Sequence, residues 1–157
     1  RRRSQRAAAV ALAAAEVGFV CGLGVLLTGP IWGHATWGTP WTGDARQVTT
    51  ALLWLVIAAY LLLRHYGQHA SERLAAALAI FGAVNVPLIY YAVKLWKTTH
   101  PTTGVVGSLP PAMWASFWPG LGALALVALG LFAVRARQLI LEGELDEAYV
   151  RLEDPRS

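Results

Sequence analysis

The residues best suited to chemistry lie between Ile31 and Arg46, where the sequence reads IWGHATWGTPWTGDAR. Trp32, Trp37 and Trp41 fall within ten positions, interleaved with glycines and closed by Asp44-Ala45-Arg46. Indole faces offer a large stacking area at little entropic cost, so three together suit a flat, apolar, aromatic ligand. Gly33, Gly38 and Gly43 permit tight bends and close backbone approach. Asp44 fits the N-cap of the following apolar helix, accepting from its first amides. Arg46 is placed either to pair with Asp44 or to reach an anionic group on a ligand. Each tryptophan alone has a plainer reading, as an amphipathic anchor at the headgroup level of a membrane.

A second stretch, KLWKTTHPTTG, brings Trp96, Lys97 and His100 just beyond another apolar run. A histidine in such a loop is either a solvated side chain or a ligand, and a neutral imidazole is a standard axial ligand for haem iron. His34 is a rival on chemistry alone. His65 and His69 fall on the opposite side of the chain's alternating topology and read as bystanders. The sole cysteine, Cys21, lies in an apolar run, so the chain can form neither an internal disulfide nor a thiolate metal cluster.

The elements that must position these residues are membrane helices. Of 157 residues 56% are hydrophobic and 14% charged, with a mean hydropathy of +0.48. A soluble domain carries about a quarter charged residues, which excludes that class. The expected fold is all-α, a polytopic membrane helix bundle forming a single transmembrane domain over 1–157. Its spans are expected at 7–28, 48–63, 74–96 and 117–134, each able to cross about 30 Å of hydrocarbon, the second with help from its N-terminal turn. The tryptophan-rich loop covers 29–47, a second loop 97–116, and a tail 135–157. Pro110 and Pro111, with Met113, Trp114 and Trp118 after them, read as a turn and interface anchors. The run after the N-terminal arginines continues without a cleavage site, so it does not read as a signal peptide.

A net charge of +4 raises nucleic acid as a partner, but the basic residues flank the apolar spans instead. Arg1, Arg2, Arg3, Arg6, Arg64, Arg73, Arg135, Arg137, Arg151 and Arg156 fall on one side, against Arg46, Lys94 and Lys97 on the other. By the positive-inside rule both termini are cytoplasmic and both long loops periplasmic. The partner is then the lipid bilayer, with no nucleic acid. In the tail, Leu141, Leu145, Ala148, Tyr149 and Leu152 make one face of a cytoplasmic amphipathic helix, with Glu147 and Arg151 spaced to pair. Inside the spans, Glu16 is a functional candidate by its depth, and Asn85 with Pro87 predicts a kinked helix making an interhelical hydrogen bond.

Taken jointly, these features resemble the haem-handling families that share a tryptophan-rich "WWD" signature, and among them the cytochrome c maturation protein C family. The likeness rests on Trp32-Gly33, Trp37-Gly38, Trp41 and Asp44-Ala45-Arg46. It extends to Asn85-Val86-Pro87-Leu88-Ile89-Tyr90-Tyr91 through Trp96, and to Thr99-His100 beyond, where that family places a haem-ligating histidine. The chain departs from the pattern at Pro40 and Gly43, where the family tends to carry tryptophan. The family also has six membrane helices and a second ligating histidine upstream. This sequence begins at what looks like the third helix, as a fragment or a shortened protein, with His34 the one candidate for the second ligand.

The resemblance implies haem b as cofactor, its ring over Trp32, Trp37 and Trp41. His100 would be the metal ligand, Arg46, with Lys97, would balance the propionates, and Asp44 would be one of the cofactor-binding residues. It implies residence in the bacterial inner membrane and a carrier role rather than catalysis. The haem would pass to a periplasmic haem chaperone with the assistance of ATP-binding cassette transporter subunits. Two other readings stand beside it: a cytochrome c synthase-type haem lyase, and a plain small membrane transporter or structural subunit with Glu16 and Asn85 lining a polar path.

Overall fold

The computed structural model describes residues 2–67, 72–101 and 105–153. Arg1, His69 and Arg156, named above, lie outside them. The fold is all-helical over these residues: α1 (Arg2–Trp37), α2 (Ala45–Tyr66), α3 (Glu72–Leu95) and α4 (Pro111–Glu153), with a short 3-10 turn at Val105–Ser108 before α4. All four helices are long and apolar enough to cross a membrane.

The helices overrun the apolar spans that announce them. The loop expected over 29–47 is mostly helix, because α1 continues through Pro30 to Trp37. Proline there removes only one hydrogen bond, which a long apolar helix tolerates. The true connection is Gly38–Asp44. Gly38 closes α1 in the left-handed region (φ 75°), its amide donating to the His34 carbonyl at 3.0 Å. Likewise α4 begins at Pro111, whose missing N–H is no loss at a first helical position. That shortens the second loop expected over 97–116. The same helix runs on without a break into the tail, where Glu147 and Arg151 approach to 3.9 Å.

Packing follows the order α4–α1–α2–α3, so the bundle is open rather than closed. Small residues let α2 and α3 approach: Ala75, Gly82 and Ala92 are buried there with Val56 and Val93. Asn85 Nδ2 donates to the Thr49 carbonyl at 2.9 Å, the interhelical bond expected of it, and α3 remains helical through Pro87. Between α1 and α2, Trp54 stacks on Phe19 at 4.8 Å and its Nε1 donates to the Phe19 carbonyl at 3.1 Å. Gly22 makes room for that indole, since a Cβ would stand 2.9 Å from Trp54 Cδ1. Gly22→Ala is therefore expected to destabilise the bundle by about 1–3 kcal/mol through overpacking, measured as a lowered unfolding midpoint in detergent.

Charge pairs hold α4 antiparallel to α1. Arg6 Nη2 bonds Glu144 Oε1 at 2.8 Å, and Arg135 grips Glu16 with both Nε and Nη2, the latter 3.0 Å from Oε1. A planar guanidinium matches a carboxylate in this two-point geometry. Glu16 is thus engaged in joining helices.

Candidate functional site

One carboxylate joins the two loops. Asp44 caps α2, its Oδ1 accepting from the Gln47 amide at 3.0 Å. Its other oxygen, Oδ2, accepts from the Thr99 hydroxyl at 2.9 Å, the Thr99 amide at 3.3 Å and His100 Nδ1 at 2.7 Å. A residue readable as a simple cap therefore also anchors the segment beyond α3. Burial works to raise the Asp44 carboxyl, but the Gln47 amide, the His100 ring and Thr99 outweigh it and bring the pKa from 3.8 to about 2. The carboxylate is ionised and can only accept, so Nδ1 of His100 carries a proton. In the neutral ring the lone pair is then on Nε2.

Gln47 stiffens the same corner. Its Oε1 accepts from the Thr42 amide (2.9 Å), the Thr42 hydroxyl (2.8 Å) and the Gly43 amide (3.0 Å). Asp44 and Gln47 stand at N-cap and N3, the spacing of a capping box. Gly43 sits at φ 71°, a conformation glycine adopts without strain. The Thr42 and Thr99 hydroxyls meet at 3.2 Å, adding a direct loop-to-loop bond. Sequence reasoning gave Gln47 no site role and named Thr99 only beside His100 in the family likeness. The Asp-x-x-Gln spacing was the available signal for the first.

Beside this corner lies a cleft of about 500 Å³, counting the space at its mouth, lined by Trp32, Trp41, Arg46 and His100 over a floor that includes Leu26 and Thr50. Trp32 and Trp41 are exposed, whereas His100 keeps only 20% of its side-chain surface and Asp44 6%. Trp37 stands outside the lining. Its ring meets Trp32 edge-on at 4.9 Å and His100 edge-on at 4.9 Å, so it backs the histidine and one indole of the cleft. Arg46 makes no ion pair with Asp44 among the described residues, and it lines the cleft.

The other candidates are placed elsewhere. His34 is exposed in the last turn of α1 and Lys97 is exposed after α3; neither lines the cleft. His65 is at the far end of α2, edge-on to Tyr66. Glu16 and Asn85 belong to different interfaces, α1–α4 and α2–α3. Among the described residues no three His, Cys, Asp or Glu side chains come close enough to hold a bare metal ion. An iron held at His100 must bring further ligands of its own, as a porphyrin does.

The family model described as "Heme exporter protein C" matches residues 2–151. The chain is 36% identical to heme exporter protein C of Escherichia coli strain K12 over 133 residues, 82% of this chain and 54% of that protein. It is 34% identical over 124 residues to heme exporter protein C of Bradyrhizobium diazoefficiens, covering 78% of this chain and 47% of that one. A ccmC-like mitochondrial protein of cytochrome c biosynthesis from Marchantia polymorpha is 30% identical over 92 residues, 59% of this chain and 39% of its own length. The chain thus spans about half the length of the bacterial relatives it matches.

Proposed function

The chain belongs to the heme exporter protein C family, and from that premise we propose that it handles haem for cytochrome c maturation, holding it in the cleft beside Asp44. The observation that carries the reading is the Asp44–His100 bond at 2.7 Å, which fixes a proton on Nδ1 and leaves Nε2 for a metal. A histidine that ligates a metal characteristically donates its other ring nitrogen to a carboxylate. The residues present fit haem b on three chemical counts: an imidazole with one nitrogen engaged, exposed indoles for the macrocycle, and a guanidinium for a propionate. Bound haem supplies the iron and its redox chemistry; the protein's part is to bind and orient it.

In this reading Trp32 and Trp41 hold the ring, Trp37 buttresses His100, and Arg46 offsets a propionate charge. His100 is the one histidine on the cleft among the described residues, so this segment supplies a single axial ligand. The cleft faces the periplasmic side of a bacterial inner membrane. From there the haem passes to a periplasmic haem chaperone, with ATP-binding cassette subunits as partners. The direction of hand-over rests on the family and on the placement of the arginines at the opposite end of the spans.

The test is purification of the chain from haem-replete membranes. The expected result is a Soret band with a histidine-ligated spectrum, and absorbance no higher than that of an unrelated membrane protein would sink the proposal. Capture of a periplasmic haem chaperone is expected; capture of apocytochrome alone would favour a haem lyase instead. Arg46→Gln is expected to weaken haem affinity about tenfold, the scale of one charge-assisted hydrogen bond, with the ligation spectrum unchanged.

A further inference from the structure

A second cavity opens at the arginine-rich end of the bundle, away from the Asp44 corner. It lies between α1, the end of α2 and α4, with about 940 Å³ of open space against walls that include Leu12, Leu61, Leu62 and Leu139. Arg64 and Arg135 also line it. Their situations differ. Arg135 is occupied by Glu16 and lies 3.9 Å from Glu142, so both carboxylates of this wall are already facing a cation. Among the described residues Arg64 has no such partner, and its Nε is buried without a hydrogen-bond acceptor.

A buried guanidinium N–H without an acceptor is costly, and such groups in folded proteins are almost always satisfied. The group that completes Arg64 would be an acceptor, preferably anionic, approaching through a cavity whose other walls are Leu12, Leu61, Leu62 and Leu139 with His65 and Tyr66 beside them. It must therefore carry an apolar body and an anionic head. Basic pockets between membrane helices on this face bind anionic lipid headgroups by the same logic. A guanidinium presents a planar fork that matches phosphate oxygens. A zwitterionic headgroup brings its own cation beside the phosphate, in competition with Arg64; an anionic one does not.

We propose that this cavity is a site for one anionic phospholipid, its phosphodiester on Arg64 and an acyl chain along Leu12, Leu61, Leu62 and Leu139. It is separate from the haem cleft and does not depend on it.

The experiment is native mass spectrometry of the chain in a phosphate-free detergent, equilibrated with equal amounts of phosphatidylglycerol and phosphatidylcholine. Wild-type protein is expected to retain one phosphatidylglycerol in preference to phosphatidylcholine. Arg64→Gln is expected to lower that retention about fivefold, the worth of one arginine near a charged lipid surface. Arg137→Gln, exposed at the same end and outside the cavity, is expected to leave it unchanged. Equal retention of the two lipids by the wild type overturns the proposal, whatever the variants do. So does an equal loss in Arg137→Gln, which would mean general surface attraction, or displacement by millimolar inorganic phosphate, which would mean a soluble-anion site. His100→Ala is expected to retain the lipid fully, so failure of the haem reading is told apart from failure here.

Discussion

His100→Ala is expected to lower haem affinity by more than about a hundredfold, collapsing the Soret band while the helices stay folded. The magnitude follows from rank order: losing an outer-shell partner of a metal ligand costs about ten- to a hundredfold, and losing the ligand itself costs more. Folding should survive, because His100 sits after α3 and its principal bonds are to Asp44 and Thr98. Asp44 would keep the Gln47 amide and Thr99 and so remain a cap. The vacated space lies between Trp37 and Asp44, which suits a free imidazole, so millimolar imidazole is expected to restore part of the band. An unchanged spectrum in His100→Ala would remove His100 as the ligand, and failure of imidazole to restore it would point to a displaced loop. His34→Ala, exposed on α1, is expected to leave the spectrum as it was.

Asp44→Asn should have the next largest effect, because it tests the bond on which the site depends. The amide keeps the shape but replaces an acceptor-only group by one whose nitrogen cannot accept from Nδ1. Haem affinity is expected to fall about ten- to a hundredfold, with the band weakened rather than lost. Combined with His100→Ala, the second change should add much less than it does alone, since both remove the same interaction. Stability should change with pH in a predictable direction. The folded carboxyl titrates at about 2 and the unfolded one near 3.8, so the unfolded chain binds the proton more readily. Its contribution is complete above about pH 4 and is lost as pH falls from there through 2. At about 1.4 kcal/mol per unit the loss is roughly 2 kcal/mol. Unfolding measured across that window should show this component in the wild type and lack it in Asp44→Asn.

Much of the fold was legible because membrane spans are written in composition. Four apolar runs bounded by arginines announced four helices, since unsatisfied backbone in lipid leaves a helix as the available solution. Asn85 as an interhelical donor was legible for a related reason, a lone amide in an apolar helix needing an acceptor. Helix ends were less legible. Gly29-Pro30 has the look of a terminus, yet α1 continues about two further turns to Trp37, and Gly38 in the left-handed region ends it. Trp37 illustrates the same limit within the site: its spacing suggested a shared platform, whereas helical geometry sets it behind His100.

By itself the sequence determined the class of molecule and the chemical inventory of its cleft: apolar spans, indoles, a guanidinium, an imidazole and a carboxylate. Those are properties of residue types and local spacing. Only the tertiary structure decided that Asp44, 56 positions from His100, bonds its ring and so orients it. It also decided that Glu16 belongs to Arg135 and that Arg64 is left facing a cavity. Such pairings depend on which helices become neighbours and at what register, which is settled by packing small residues across interfaces far apart in the chain.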